Sequence, residues 1–102
     1  MNRGGVFWLE LEAEGRRPVC VLTRDEAIPR LRNVVVALVT GRRRGLSSEV
    51  VLGPEDGMPR ECAISLDNLR TVPRALLTEE ITQLTPERTR EVCRALSAAT
   101  DC

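Results

Sequence analysis

Residues 33–45 have the sequence Asn33-Val34-Val35-Val36-Ala37-Leu38-Val39-Thr40-Gly41-Arg42-Arg43-Arg44-Gly45. The consecutive apolar residues from Val34 to Val39 are mostly β-branched, which is typical of a strand that is buried on both of its faces. After Thr40 the chain becomes strongly cationic. The segment therefore predicts a central strand over residues 34–40, with a hydroxyl group and several guanidinium groups at its end. Such an end is suited to binding an anion.

The segments on either side of this strand predict further short strands, separated by turn residues. They cover residues 6–12, 17–23, 49–52, 61–66 and 69–72. The first two flank the Glu14-Gly15-Arg16 turn and are expected to form a hairpin. Residues 24–32 have no clear periodicity and are predicted to be a loop, and Asp67-Asn68 is predicted to interrupt the strands around it. Short strands at this spacing predict a small β-barrel or sandwich.

The pattern changes near the carboxyl end of the chain. Thr85 is a suitable helix cap, and Pro86 fits the first helical position. Apolar residues then recur at helical spacing between Val92 and Ala99. The sequence predicts one amphipathic helix over residues 86–99, which must pack its apolar face on the barrel or on a partner.

The length of the chain, 102 residues, predicts a single domain with one modest core, covering residues 1–102. So small a core would gain stability from oligomerisation. Phe7 and Trp8 are the only aromatic residues. We therefore expect an aliphatic core and no aromatic platform for stacking bases.

The charge pattern leaves two interpretations open. The formal net charge is zero, but all 15 basic residues are arginine and they outnumber the acidic residues in the amino-terminal half. A basic half would suit a phosphate-bearing partner. The alternative, which composition alone favours, is that the arginines solvate the surface.

The cysteines do not form a metal-binding pattern. Cys20, Cys62, Cys93 and Cys102 have no CxxC spacing, and the chain has no histidine. We expect no metal and no cofactor, and free thiols that act as small core residues, with Cys102 a thiol of the tail.

No apolar run predicts a signal peptide or a membrane span, so a cytoplasmic protein is expected.

Arginine and threonine are the candidates for catalysis, because the chain lacks histidine and tyrosine as general bases. Arg17 begins one predicted strand and Thr40 ends another, so both would lie at one end of the barrel if these strands are antiparallel neighbours. Arg17 could then stabilise charge on a phosphate, with Thr40 as a hydrogen-bonding aid. The alternative is a solvated arginine at a strand start. Arg42, Arg43 and Arg44 resemble a phosphate-binding loop, although short charge runs are often only solvated.

The succession of segments resembles the MazF/PemK toxins, small bacterial endoribonucleases of type II toxin–antitoxin systems. The resemblance covers nearly the whole chain and rests on Arg3–Trp8, Arg17–Thr23, Val34–Thr40, Arg44–Val50, Asp67–Val72, Leu76-Leu77 and Ile81–Leu84. The order of these segments is more specific than any one of them.

The resemblance implies a mainly β fold, a small SH3-like barrel of the CcdB/PemK kind with a C-terminal helix, which forms a homodimer. It implies a sequence-specific, ribosome-independent endoribonuclease toxin that a cognate antitoxin neutralises. Such an enzyme cleaves single-stranded RNA without a metal, through attack of the ribose 2′-OH that leaves a cyclic phosphate. By position, Arg17 and Thr40 correspond to the catalytic residues of the family.

The resemblance also implies RNA-binding residues outside this pair. Asn68 stands where the family commonly has glutamine, close to the RNA path, and Arg70 is expected to bind RNA beside it. Arg42, Arg43 and Arg44 are expected to be auxiliary phosphate contacts.

Two other functions are compatible with the same barrel fold. One is a non-catalytic toxin or binding module that inhibits a protein target, as CcdB-type gyrase poisons do. The other is a degenerate toxin that retains only dimerisation and antitoxin binding.

Overall fold

The structure is a computed structural model that describes residues 1–101. Its strands in that range are β1 (Gly5–Leu11), β2 (Gly15–Val21), β3 (Asn33–Thr40), β4 (Glu49–Leu52), β5 (Cys62–Pro73) and β6 (Leu77–Gln83). Short 3-10 helices cover Ile28–Arg30, Pro54–Asp56 and Arg74–Leu76, and the α-helix α1 covers Pro86–Thr100. The strands form one antiparallel sheet in the order β4-β5-β3-β2-β1-β6, which curls into a half-barrel. The prediction of a mainly β barrel fold with a C-terminal helix is confirmed.

The central strand β3 is buried on both faces, as predicted. It pairs with β2 on one side and with β5 on the other. Because side chains alternate along a strand, Val36 and Leu38 belong to one apolar cluster while Ala37 and Val39 belong to another. Val35 differs from the prediction, since 37% of it is exposed near the start of the strand.

The two apolar clusters cover opposite faces of the sheet. The first fills the space between the sheet and α1, where Val92 and Ala95 are buried against Ile64 and Leu66 among other residues. The second lies on the other face and includes Ile28 from the first 3-10 helix. Its members are otherwise all strand residues, namely Phe7, Leu9, Val19, Val21, Val34, Val36, Leu38, Val72 and Leu77.

The predicted hairpin and helix are both confirmed. In the hairpin, β1 and β2 pair from Val6 opposite Cys20 to Leu11 opposite Gly15. The helix begins at Pro86, and the Thr85 hydroxyl accepts a hydrogen bond from the Arg88 backbone N–H at 3.2 Å, as an N-cap should.

Three local expectations differ from the structure. The predicted loop at residues 24–32 contains a 3-10 turn, because the apolar side chain of Ile28 is drawn into the core. Asp67-Asn68 does not end a strand: β5 is continuous, and residues 66–68 form a bulge between the pairs Leu38–Ser65 and Ala37–Leu69. No strand was predicted at β6, because its exposed polar residues show no alternation and its only partner within residues 1–101 is β1. Pairing with a distant segment overrides the weak local preference there.

The cysteines are free thiols in the described part of the chain. Cys20 and Cys62 are buried and Cys93 is partly buried, whereas Cys102 lies outside the described residues. Burial raises the pKa of Cys20 to about 12, and the neighbouring Cys93 adds to the shift. Cys20 is therefore neutral and packs as a small apolar group. Within residues 1–101 there is also no helix long and apolar enough to cross a membrane.

An ion pair between Arg88 and Asp56 links α1 to the turn after β4. The guanidinium group donates from Nε and Nη2 to the two Asp56 oxygens at 3.0 and 3.1 Å, and from Nη1 to Glu91 at 2.7 Å. Only 9% of the Asp56 side chain is exposed. Partial burial opposes ionisation of Asp56, but hydrogen bonds from Arg88 and from the Gly53 N–H outweigh it and hold the pKa of this carboxyl below its usual value.

We predict that Arg88→Met lowers the free energy of unfolding by about 2 kcal/mol at neutral pH, because it leaves Asp56 without its charged donor. The Asp56 pKa is depressed in the folded state, so its contribution is complete above the unfolded pKa of about 4 and is lost as the pH falls through the folded value. The free energies of unfolding of the wild type and the variant, measured with urea at fixed protein concentration, should therefore become more similar in acid. Arg90→Met, at an exposed position of the same helix, is the control. A difference in the free energy of unfolding that stays the same in acid would contradict the stabilisation of the Asp56 carboxylate by Arg88.

Candidate active site

A cavity of about 550 Å³ opens at the end of the sheet where β2 begins and β3 ends. Its walls come from strands that are far apart in sequence. They consist of Trp8, Arg16–Pro18, Val39–Gly41, Met58–Arg60, Cys62 and Ile81. Because the cavity lies at the strand ends, residues from both faces of the sheet contribute to it. Its volume is in the range typical of ligand sites.

The structure brings Arg17 and Thr40 together in this cavity. Strands β2 and β3 pair with Val19 opposite Leu38. The same register, continued by two residues, puts Arg17 opposite Thr40, and residues that face each other across antiparallel strands share a face. The sequence-based expectation that both side chains lie at one end of the barrel agrees with this geometry.

The guanidinium group of Arg17 is incompletely bonded. Its Nε is buried and has no hydrogen-bond acceptor, and it is the only buried side-chain nitrogen or oxygen in residues 1–101 of which this is true. No salt bridge to Arg17 is present in that range either. A buried N–H without a partner is costly. An anion that entered the cavity would remove this cost.

The hydroxyl group of Thr40 is held by the backbone of the following loop. Its Oγ1 accepts a hydrogen bond from the Arg42 N–H at 3.1 Å. A threonine hydroxyl can accept and donate at the same time. The proton of Thr40 therefore remains available for a ligand oxygen in the cavity.

The charge of the cavity is positive. Arg16, Arg17 and Arg60 line it, and no aspartate or glutamate does. Burial, and after it the charge of Asp56, raises the pKa of the Cys62 thiol, which is therefore neutral at physiological pH. The three guanidinium groups thus set the potential in the cavity, and they favour a phosphate or another anion.

Comparison with known proteins agrees with the fold. Residues 2–100 match the family described as PemK-like, MazF-like toxin of type II toxin-antitoxin system. The chain belongs to this toxin family. It is 50% identical over 101 residues to the probable endoribonuclease MazF5 of Mycobacterium tuberculosis, covering 98% of this chain and 93% of that relative. The resemblance inferred from the sequence is confirmed.

Two further similarities support the assignment. The toxin is 43% identical over 101 residues to the probable endoribonuclease MazF2 of Mycobacterium tuberculosis, covering 98% of this chain and 99% of the relative. The solved structure of the Mycobacterium tuberculosis toxin MazF-mt6 superposes with a TM-score of 0.86 at 32% identity, covering 95% of this chain and 96% of that one.

The arginine loop of the toxin, residues 42–44, lies beside the cavity and not in its wall. All three side chains belong to exposed residues. Arg43 forms a salt bridge with Glu61 at 2.9 Å. Arg42 and Arg44 have no salt bridge within residues 1–101, so their charges are available to a ligand that extends out of the cavity.

Glu49 fixes the backbone of the segment that follows. One of its carboxylate oxygens accepts hydrogen bonds from the N–H groups of Arg44, Gly45 and Leu46, at 2.9, 3.0 and 3.4 Å. The loop that carries the arginines is therefore anchored at its far end, while Thr40 holds its near end.

The structure does not bring Asn68 and Arg70 into the cavity. Asn68 lies in the β5 bulge and donates a hydrogen bond to the Ser65 hydroxyl at 2.8 Å. Arg70 pairs with Val36, four residues before Thr40 along β3, or about 13 Å at the usual rise per residue. RNA binding by this pair remains a prediction, and it requires a ligand that continues along the sheet.

Three residues that contribute to the chemistry of the cavity, Trp8, Arg16 and Arg60, were not singled out from the sequence. Trp8 lines the cavity, although the near absence of aromatic residues argued against a stacking platform. Arg16 covers it, with its guanidinium carbon 4.3 Å from the centre of the indole ring. The hairpin register contains the signal that would have found Trp8, because it lies opposite Pro18, the neighbour of Arg17.

Proposed function

We propose that this toxin is a metal-independent, ribosome-independent endoribonuclease that cleaves single-stranded RNA at particular sequences. The observation that carries the proposal is the guanidinium group of Arg17, whose buried Nε has no acceptor, next to Thr40 in a cavity lined by arginines and by no carboxylate. The names of two similar Mycobacterium tuberculosis relatives, both probable endoribonucleases, support the same activity.

The reaction is attack of a ribose 2′-oxygen on the adjacent phosphorus. The new O2′–P bond forms as the P–O5′ bond breaks, which gives a 2′,3′-cyclic phosphate and a free 5′-hydroxyl group. Negative charge accumulates on the non-bridging oxygens in the transition state, where Arg17 is suited to stabilise it and the Thr40 hydroxyl to donate a hydrogen bond. Since the nucleophile belongs to the substrate, DNA would not be cleaved.

The chain has no histidine or tyrosine to act as a general base. Catalysis would therefore depend mainly on positioning the phosphate and on charge stabilisation. The 2′-OH proton passes to a phosphate oxygen or to water, and the leaving 5′-oxygen takes up a proton in return. No metal ion or cofactor takes part in this scheme.

The proposal includes a cognate antitoxin, a homodimeric state and a cytoplasmic location. Membership of a type II toxin–antitoxin family supports the antitoxin, whose disordered segment would fold over the cavity and exclude RNA. Dimerisation would add buried area to a chain with a modest core, and exposed apolar side chains such as Leu31 and Leu69 are available for it.

Arg17→Ala is expected to lower the RNA cleavage rate by about 10²- to 10³-fold, the usual effect of removing a group that stabilises transition-state charge. Thr40→Val should lower it by less, because it removes a neutral donor. Arg24→Ala is the matched control, since Arg24 is an exposed arginine paired only with Glu26. Cleavage is measured with a purified protein and RNA in the presence of EDTA. Activity that is undiminished in Arg17→Ala, or that EDTA abolishes, would overturn the proposal.

The double substitution Arg42→Gln/Arg44→Gln is expected to weaken RNA binding more than it slows the bound chemical step. Each lost phosphate contact should reduce the slope of log affinity against log salt by about 0.7. Single-turnover cleavage at saturating RNA should stay close to the wild-type rate. Arg30→Gln/Arg32→Gln removes the same charge from other exposed positions and is the control. An unchanged salt slope with a large loss of single-turnover rate would instead make the loop part of the catalytic centre.

A further inference from the structure

Trp8 is placed unusually for the only tryptophan of a small protein. It is partly exposed, and it belongs to neither of the two apolar clusters that form the core. Its neighbours on β1, Phe7 and Leu9, are both buried in the second cluster. The indole ring instead contributes to the wall of the arginine-lined cavity. Core packing therefore does not account for a large aromatic side chain at this position.

Arg16 covers the indole ring and is held there by weak contacts. Its guanidinium carbon lies 4.3 Å from the ring centre, and its Nη1 donates to Glu79 Oε2 at 3.0 Å. The side chains of Arg16 and Glu79 are 48% and 62% exposed. Exposed ion pairs and exposed cation–π contacts each contribute little, so a better partner can displace Arg16 from either.

We propose that the Trp8 ring is a base-stacking subsite of the cavity, covered by Arg16 until RNA binds. The inference rests on the proposed function, because it assigns a place to a base next to the phosphate that Arg17 holds. Trp8, Arg16 and Arg17 all line the same cavity, so the base and the phosphate of a single nucleotide can engage both the ring and the two guanidinium groups. On binding, Arg16 leaves Glu79 for a phosphate oxygen, with which arginine forms stronger, bidentate contacts.

A stacking subsite would select for nucleic acid over a simple polyanion without fixing the sequence. Every base has an aromatic face, and stacking on an aromatic side chain is tolerant of base identity. The charge of the cavity attracts any phosphate, whereas Trp8 adds binding energy only when the phosphate belongs to a nucleotide whose base can stack on the indole ring. This separation of roles makes the subsite testable with ligands that differ only in their bases.

The test compares a short 2′-O-methyl RNA of mixed sequence, which has no 2′-OH and cannot be cleaved, with an abasic oligonucleotide of the same length and charge. Trp8 is the only tryptophan in the chain, so its fluorescence reports on this position alone. The RNA should strongly quench the emission of the full-length wild-type protein, whereas the abasic oligonucleotide, which can draw Arg16 off the ring but cannot stack on it, should quench it much less. Equal responses to the two ligands would overturn the subsite.

Variants supply the affinity measurement. Trp8→Leu should bind the 2′-O-methyl RNA about tenfold more weakly than the wild type, and Trp8→Phe should lose less because it keeps an aromatic face. Both should bind the abasic oligonucleotide as tightly as the wild type does. Equal affinity of Trp8→Leu and wild type for the RNA would overturn the subsite. If circular dichroism shows that Trp8→Leu is unfolded, the wild-type fluorescence comparison decides alone.

Cleavage of unmodified RNA by the wild type separates this inference from the proposed function. Base-dependent quenching without any cleavage would support the subsite and refute the nuclease. Cleavage with no base-dependent quenching would keep the nuclease and refute the subsite.

Discussion

The antiparallel pairing of β2 with β3 is the constraint on which the site depends. Val19 opposite Leu38 sets the register, and both side chains are locked in the second apolar cluster. A shift by one residue would exchange the residues that β3 contributes to the two clusters, putting Ala37 and Val39 where Val36 and Leu38 now pack. The packing of the core thus fixes the position of Arg17 relative to Thr40 at the strand ends, although neither belongs to the core. The chemistry relies on a register that hydrophobic burial maintains.

The cavity concentrates cations without their usual counter-ions. Some arginines elsewhere in the described chain are paired with acids, as Arg88 is with Asp56 and Arg43 with Glu61. In the cavity the acids are absent, and Arg16 turns to an acid that lies outside the lining. Unpaired guanidinium groups in a partly desolvated site are costly to the free protein. In the proposed reaction they provide a preorganised electrostatic field for a transition state that carries extra negative charge.

Much of the fold was predictable from the sequence because its signals are local. The apolar run of β3, the Gly15 turn and the Thr85-Pro86 start of α1 each determine their own conformation. What could not be predicted depends on pairing between distant segments: β6 is a strand because β1 lies beside it, and the β5 bulge exists because β3 imposes its register on both halves. The same holds for the site. Arg17 and Thr40 followed from strand order and family resemblance, and the hairpin register could have added Trp8. Arg60 could not be added, because it lies in the connection between β4 and β5, which no local signal places beside them.

The central claim is that the RNA supplies its own nucleophile while Arg17 stabilises the charge. Mass spectrometry of the cleavage products, formed in EDTA, tests it most directly. The account predicts fragments that end in a 2′,3′-cyclic phosphate and begin with a 5′-hydroxyl group, and no cleavage when the single ribose before the scissile bond is replaced by 2′-deoxyribose. Products with a 3′-hydroxyl and a 5′-phosphate, or cleavage that survives the 2′-deoxy substitution, would contradict it.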